Sequence, residues 1–336
     1  MAIRENENDR LPIPNGWFAI EWSHELHAGD VKAIHYFGEE LLLFRTRAGV
    51  AKVLDPFCPH LGAHIGHGGR VIGETVRCPF HGWQFDGESG ECIRIPYCDR
   101  IPNQARLRSW PTQEKNGLVW AWYHAEGNAP EWDFPVVPEI GHEEWSEPSY
   151  FELEIEAHIQ ETHENNNDPV HFQYVHGMPE TPPSEITFSE NGRHYQIVSH
   201  SESVMPSGTY RTSLVRDSWG LGLNAIWMKG IPGVGSLLYA ATTPIDENRV
   251  RSRWLLTATK NCIDFVGEEI MTALKKGVTD DFPIWKHKIY RANPVLCEAD
   301  TYLAQYRKWA LQFYSNPEVA PAHLESLGRI SSSGGE

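Results

Sequence analysis

The sequence predicts an α+β chain of two unequal domains, a small all-β domain followed by a larger mixed one. Three observations predict it. Residues 16–124 break into short apolar or alternating runs separated by Gly and Asp. Residues 125–147 hold Glu126-Gly-Asn-Ala-Pro130, Pro135, Pro138 and Gly141, which suits a connecting segment. Residues 148–328 mix strand-like runs with stretches of helical periodicity.

The elements follow in order. Residues 1–15 are charged and polar at their start and are expected to be a flexible N-terminus. They show no apolar core of a secretory signal. Ala33–Phe37, Leu41–Arg45 and Val50–Leu54 read as strands, and Asp86-Gly87 and Ser89-Gly90 as hairpin turns. Leu118–Tyr123 closes the first domain as a buried strand. In the second, Phe151–Ile159 alternates with acids, as a strand with one wet face does. Glu161–His176 reads as a helix ended by Gly177 and Pro179. Strands are expected at Tyr195–Ser199, Leu221–Met228, Ser236–Thr242 and Val250–Thr259. Helices are expected at Phe265–Lys276, Ile284–Tyr290 and Tyr302–Phe313. Residues 329–336 read as a flexible tail.

Composition narrows the function. A chain of 336 residues with 40% hydrophobic residues can bury two cores. It has no run of about 18 apolar residues, so no membrane span is expected, and the expected place is the cytoplasm. Two of the six cysteines are ligand candidates. Cys92, Cys98, Cys262 and Cys297 read as free thiols, with a Cys92–Cys98 disulfide as the alternative. A net charge of −16 argues against a nucleic-acid partner. From Asp55 to Arg108, six arginines balance six acids. That neutral window either admits an acidic electron donor or is an ordinary solvated surface.

The first chemical signal is Cys58-Pro-His60 with Cys78-Pro-Phe-His81-Gly-Trp, that is C-x-H, seventeen residues, C-x-x-H. Two thiolates on one iron and two imidazoles on the other make a Rieske [2Fe–2S] cluster. Imidazole adds less negative charge than thiolate, raises the potential and suits one-electron transfer. Gly62, Gly68, Gly69 and Gly82 let backbone approach the cluster. Structural zinc sites group their cysteines in one arm and histidines in the other, whereas each arm here has one of each.

The second signal is Glu164-Asn-Asn-Asn-Asp168-Pro-Val-His171-Phe-Gln-Tyr-Val-His176. Two histidines and a later carboxylate make the facial triad of non-heme Fe(II) oxygenases, which leaves one side of the iron open. His171 and His176 are five residues apart, or roughly 140° on an ideal helix. Both reach one metal only if the helix widens or unwinds between them. Asp168, three before His171, is placed to orient it. Residue reasoning leaves the third ligand open among Asp264, Glu268, Glu269, Asp280, Asp281 and Asp300.

With these two motifs and the stretch from Asp281-Phe-Pro-Ile-Trp to Gln312-Phe-Tyr, the chain resembles the oxygenase component of Rieske non-heme iron oxygenases. The last stretch is similar to 3-ketosteroid 9-alpha-hydroxylase oxygenases and Neverland-type cholesterol 7-desaturases. The resemblance implies a helix-grip catalytic domain with a curved antiparallel sheet behind the Rieske domain. It implies a head-to-tail homotrimer in which one subunit's cluster faces its neighbour's iron. It maps the third iron ligand onto Asp281, with Asp280 adjacent, and sets Asn165 beside the iron. It makes Asp168 the bridge from cluster ligand His81 to iron ligand His171.

The expected function is therefore a terminal oxygenase. The chain lacks a G-x-G-x-x-G after a strand, so a separate reductase, with or without a ferredoxin, supplies electrons from NAD(P)H. O2 and a small apolar, steroid-like substrate are the other partners, and monohydroxylation or desaturation is the outcome. Trp219, Leu221, Leu223, Ile226, Trp227, Met228, Leu237 and Tyr239 are candidates for an apolar pocket. The alternative is an O-demethylase or hydroxylase of a smaller aromatic compound, whose carboxylate would want Arg211, Arg216 or Lys229. A Rieske-type electron carrier is the reading of a different class, and it needs only the first domain.

Overall fold

The structure, a computed structural model, describes residues 11–205, 208–267 and 269–315. Residues 17–136 form one compact unit, and the described residues from 137 onward, with residues 11–16, form the other.

The first unit is all β. Its strands are β1 (Gly16–Trp22), β2 (Val31–Tyr36), β3 (Glu39–Arg45), β4 (Ala51–Leu54), β5 (Arg70–Ile72), β6 (Thr75–Arg77), β7 (Gln84–Asp86), β8 (Cys92–Arg94), β9 (Ser109–Trp110), β10 (Thr112–Lys115) and β11 (Leu118–Tyr123). They make three sheets, ordered β1-β11-β10, β2-β3-β4-β9 and β5-β6-β7-β8. β1 and β11 read as near-continuous apolar runs because both are buried along their length. The β7–β8 turn forms at Asp86-Gly87, where the Asp86 carboxylate accepts the N–H groups of Glu88 and Ser89. Leu42, Phe44, Ile65, Val76 and Phe85 pack into one core that also takes in Cys58, Cys78 and Trp83.

The second unit is a seven-stranded antiparallel sheet with short helices. Its strands are β12 (Ser149–Ile155), β13 (Ser184–Phe188), β14 (His194–Met205), β15 (Gly208–Trp219), β16 (Leu223–Ile231), β17 (Val234–Asp246) and β18 (Arg249–Ala258). The order is β12-β18-β17-β16-β15-β14-β13, a meander closed by β12 on the edge of β18. Register shifts interrupt the β16–β17 and β17–β18 ladders, and such bulges bend a sheet. The helices are α1 (Ile159–Glu164), α2 (His171–Tyr174), α3 (Lys260–Val266), α4 (Glu269–Thr279), α5 (Phe282–His287) and α6 (Thr301–Ala310). Ile270, Met271, Leu274 and Val278 of α4 pack on Leu238, Leu256 and Trp254 of the sheet.

Several expectations are corrected. The helix expected over Glu161–His176 is α1, a 3-10 turn at Asn165–Asn167, a break, and α2. Pro169 forces the break: Asp168 before it is extended, at φ −112° and ψ 96°. The helix expected at Phe265–Lys276 is two helices, because Gly267 at φ +90° ends α3. Residues 11–15 pack against the second unit, with Leu11 and Ile13 buried and the Asn15 N–H bonded to the Phe313 carbonyl. Residues 1–10 and the expected tail at 329–336 lie outside the described residues.

Candidate metal centres

Two loops bring the first donor set together. The Gly62 N–H closes on the Cys58 carbonyl and the Gly82 N–H on the Cys78 carbonyl, so each arm is the same tight turn. Gly62 and Gly82 stand at φ +73° and +77°, which favours glycine. Cys58 and Cys78 are buried, and His60 and His81 are half-buried. The two imidazole Nδ1 atoms face each other at 3.1 Å. Trp83 stacks on His60 at 4.8 Å and donates its indole N–H to the Tyr97 hydroxyl. Burial pushes the Cys58 thiol up to about 11, and the neighbouring Cys78 adds to this. Two inward thiols and two facing imidazoles fit the two-iron donor set of a Rieske cluster. All six cysteines are free thiols.

The second donor set is assembled from distant segments. The donor atoms of His171, His176 and Asp281 lie within 4.8 Å of one another. His171 and Asn165 come from either side of the Asp168-Pro169 break. His176 lies past the end of α2, so the helix breaks off between the histidines, after Tyr174, as their spacing requires. Asp281 stands at the N-cap position of α5, where its carboxylate makes no capping bond, and is 5% exposed. Its Oδ2 accepts the Asn165 amide at 2.7 Å, while its Oδ1 stands 3.6 Å from His176 Nε2 with no hydrogen-bond donor among the described residues. A buried carboxylate oxygen left without a donor beside two imidazoles fits a cation. His171 Nδ1 bonds to the Asp168 main-chain carbonyl, which fixes the tautomer and turns Nε2 toward the site. Burial lowers the His171 pKa, against the pull of Asp281, and favours the neutral ring that a metal needs.

The other carboxylates lie elsewhere. Asp280 pairs with Lys276, Asp300 accepts the Cys297 N–H, and Asp264 and Glu269 are exposed. Glu268 lies outside the described residues. Asp168 touches the ring of His171 through its carbonyl. Its carboxylate Oδ1 instead accepts the N–H groups of Val170 and His171.

Comparison with known proteins decides the family. Residues 16–111 match the model of the Rieske [2Fe-2S] domain, and residues 121–314 that of the 3-ketosteroid 9alpha-hydroxylase C-terminal domain. The chain belongs to the Rieske non-heme iron oxygenases. As an oxygenase component it carries a [2Fe–2S] cluster and a mononuclear iron, and it draws electrons from a separate protein. It is 32% identical to cholesterol 7-desaturase of Caenorhabditis elegans, over 97% of this chain and 82% of that protein. It is 30% identical to the oxygenase component of 3-ketosteroid-9-alpha-monooxygenase of Mycolicibacterium smegmatis, over 94% and 86%. The fold matches a Pseudomonas putida CBB5 NdmA mutant with caffeine at TM-score 0.74 and 20% identity, over 97% and 96% of the two chains. Dicamba monooxygenase bound to dicamba gives 0.70 at 19% identity, over 89% and 97%.

The oxygenase's cavity, of about 260 Å³, is lined by the three candidate iron ligands and by mostly apolar side chains of β15–β18, α4 and α5. Of the eight pocket candidates read from the sequence, Ile226 and Met228 line it. Register explains the rest. Arg216 pairs with Ile226 and Ile226 with Leu238, so these share one face, while Trp227, Leu237 and Tyr239 take the other. Trp219 stacks on His194 instead. Arg216 lines the cavity, whereas Arg211 and Lys229 are exposed.

Sequence reasoning missed the supports. Arg307 on α6 holds Glu164 of α1 through Nε at 2.7 Å and Nη2 at 3.1 Å, with both residues buried. His163 stacks on Tyr306 at 5.4 Å and stays neutral, its pKa pushed down to about 3 by burial. Glu164 opens the quoted motif, but nothing local points to a partner 143 residues away.

Proposed function

We propose that the protein is a terminal oxygenase that monohydroxylates or desaturates an apolar, steroid-like substrate. The observation that carries the reading is an apolar cavity with a His/His/Asp set in its wall. In this reading Cys58, His60, Cys78 and His81 hold the cluster, and His171, His176 and Asp281 hold the iron. When bound, the cluster relays single electrons and the iron activates dioxygen. Asn165 holds one oxygen of Asp281 and leaves the other toward His176. Asp168 fixes the tautomer of His171 through its carbonyl, and its carboxylate links to the partner subunit's His81. The similarity to steroid-acting relatives supports the substrate class.

A head-to-tail homotrimer belongs to the same reading. Phe57, Leu61, Phe80 and Tyr97 surround the cluster histidines and are each more than half exposed, which suits a face covered by a second copy. The electron donor is a reductase, with or without a ferredoxin. Free thiols and the lack, among the described residues, of a helix long and apolar enough to cross a membrane support a cytoplasmic place. A smaller aromatic acid is the second substrate reading, and Arg216 in the cavity wall favours it.

The test is metal analysis followed by a substrate screen. About three irons and two sulfides per chain are expected, and two irons would mean an electron carrier. Sterols, ketosteroids and aromatic acids would be incubated with a surrogate reductase. Mass spectrometry would read a gained oxygen or two lost hydrogens, and turnover confined to aromatic acids would overturn the steroid-like reading.

A further inference from the structure

Arg216 sits on the sheet face that floors the cavity and is 1% exposed. Its Nη2 donates to Ser199 Oγ at 2.7 Å. Its Nε and Nη1 have no hydrogen-bond partner among the described residues. The guanidinium lies 5.0 Å from the centre of the Phe172 ring. Burial pushes its pKa down to about 10, which leaves it cationic at neutral pH. The carboxylate whose charge bears on it is Asp168, whose Oδ1 is already engaged by Val170 and His171.

Buried polar groups are nearly always satisfied, and buried charges are paired. Two neutral polar atoms in the same wall also lack partners among the described residues, His163 Nε2 and Trp254 Nε1. A hydroxyl on a substrate, which can donate or accept, would satisfy either of them. Arg216 is the one Lys or Arg among the described residues of the wall, and its chemistry asks for an anion.

We propose that Arg216 anchors a carboxylate carried by an otherwise apolar substrate. The inference rests on reading this cavity as the substrate site. It selects an acid over the corresponding alcohol or ester, whether the apolar body is a steroid or a single aromatic ring.

The experiment uses the full chain with its metals, titrated by calorimetry. Three probes share one steroid skeleton, as a side-chain carboxylic acid, the matching primary alcohol and the methyl ester. A substituted benzoate is the fourth. The steroid acid is expected to bind roughly 10–100-fold tighter than the alcohol. Arg216→Met should level the two, and Arg216→Lys should keep part of the preference. Equal binding of acid and alcohol to the unmodified protein would overturn the anchor and leave the apolar cavity standing. A preference that survives Arg216→Met would overturn it too. Benzoate binding tighter than the steroid acid, and lost in Arg216→Met, would uphold the anchor and overturn the steroid-like reading. Failure of all four to bind would overturn both. If Arg216→Met does not fold, judged by its urea denaturation profile and its mononuclear iron content, the unmodified protein and Arg216→Lys decide.

Discussion

The two candidate metal centres are built in opposite ways. The cluster donors fall within residues 58–81, on two copies of one tight turn closed by main-chain bonds and glycine. The iron donors come from a broken helix and from the start of α5, and their supports reach to Arg307. A site made of local turns depends on few residues and is written in a short motif. A site made by packing depends on the whole unit around it, so substitutions far from the metal should reach it.

The largest expected effect comes from removing a donor of the local site. Cys78→Ser should abolish the visible and EPR signals of the cluster and all turnover. A purified variant with a normal Rieske spectrum would break the comparison at its root. His176→Ala should keep the cluster spectrum but lose the mononuclear iron and all product. Metal analysis checks the first outcome, and retained turnover would remove His176 from the ligand set.

Remote support gives the next effect. Glu164→Gln removes one half of a buried, bidentate ion pair, and should destabilise the catalytic unit by about 3–5 kcal/mol. Urea denaturation followed by iron release should show it, with the cluster signal unchanged. Loss of the cluster together with the iron would mean that the two sites are not independent.

Asp168→Asn should fill both metal sites, because the Asn oxygen can still accept the Val170 and His171 N–H groups and the carbonyl bond to His171 remains. Product formation should fall about a hundredfold, read as slow cluster reoxidation in a single turnover. Activity within a few-fold of the unmodified protein would leave Asp168 as an acceptor of those N–H groups only.

The smallest effect is a pH dependence. His158 caps α1 through Nδ1 and is buried against Pro12, and burial lowers its pKa from 6.5 to about 4. The unfolded chain takes up this proton first. Stability is therefore whole above pH 6.5 and declines as pH falls toward 4. Between pH 6.5 and 5 this group should account for about 2 kcal/mol. His158→Asn, which keeps a capping side chain, should flatten that part of the urea profile.

The same contrast explains what was legible in the sequence. The Cys/His loops, the Asp86-Gly87 turn and the strand at Leu118–Tyr123 are local patterns, and the structure carries each of them. The helix break before His176 followed from spacing alone. The Asp168-Pro169 break did not, because helical periodicity runs across it. Pocket residues were missed because the face of a strand is set by pairing: Ile226 and Trp227 look alike in sequence and point to opposite sides. Asp281 was singled out by resemblance, since six carboxylates suited the pattern and only packing separates them. The clasp between Glu164 and Arg307 has no local signal.

That clasp also orders the protein in time. Residues 17–136 are complete about 170 residues before Arg307 has been synthesised, which at ribosomal rates is on the order of ten seconds or more. The cluster loops have their own core and can take up iron and sulfide during that interval. The iron site waits until α6 arrives to hold α1 in place. A chain cut short before residue 307 should therefore show the colour of the cluster and none of the chemistry.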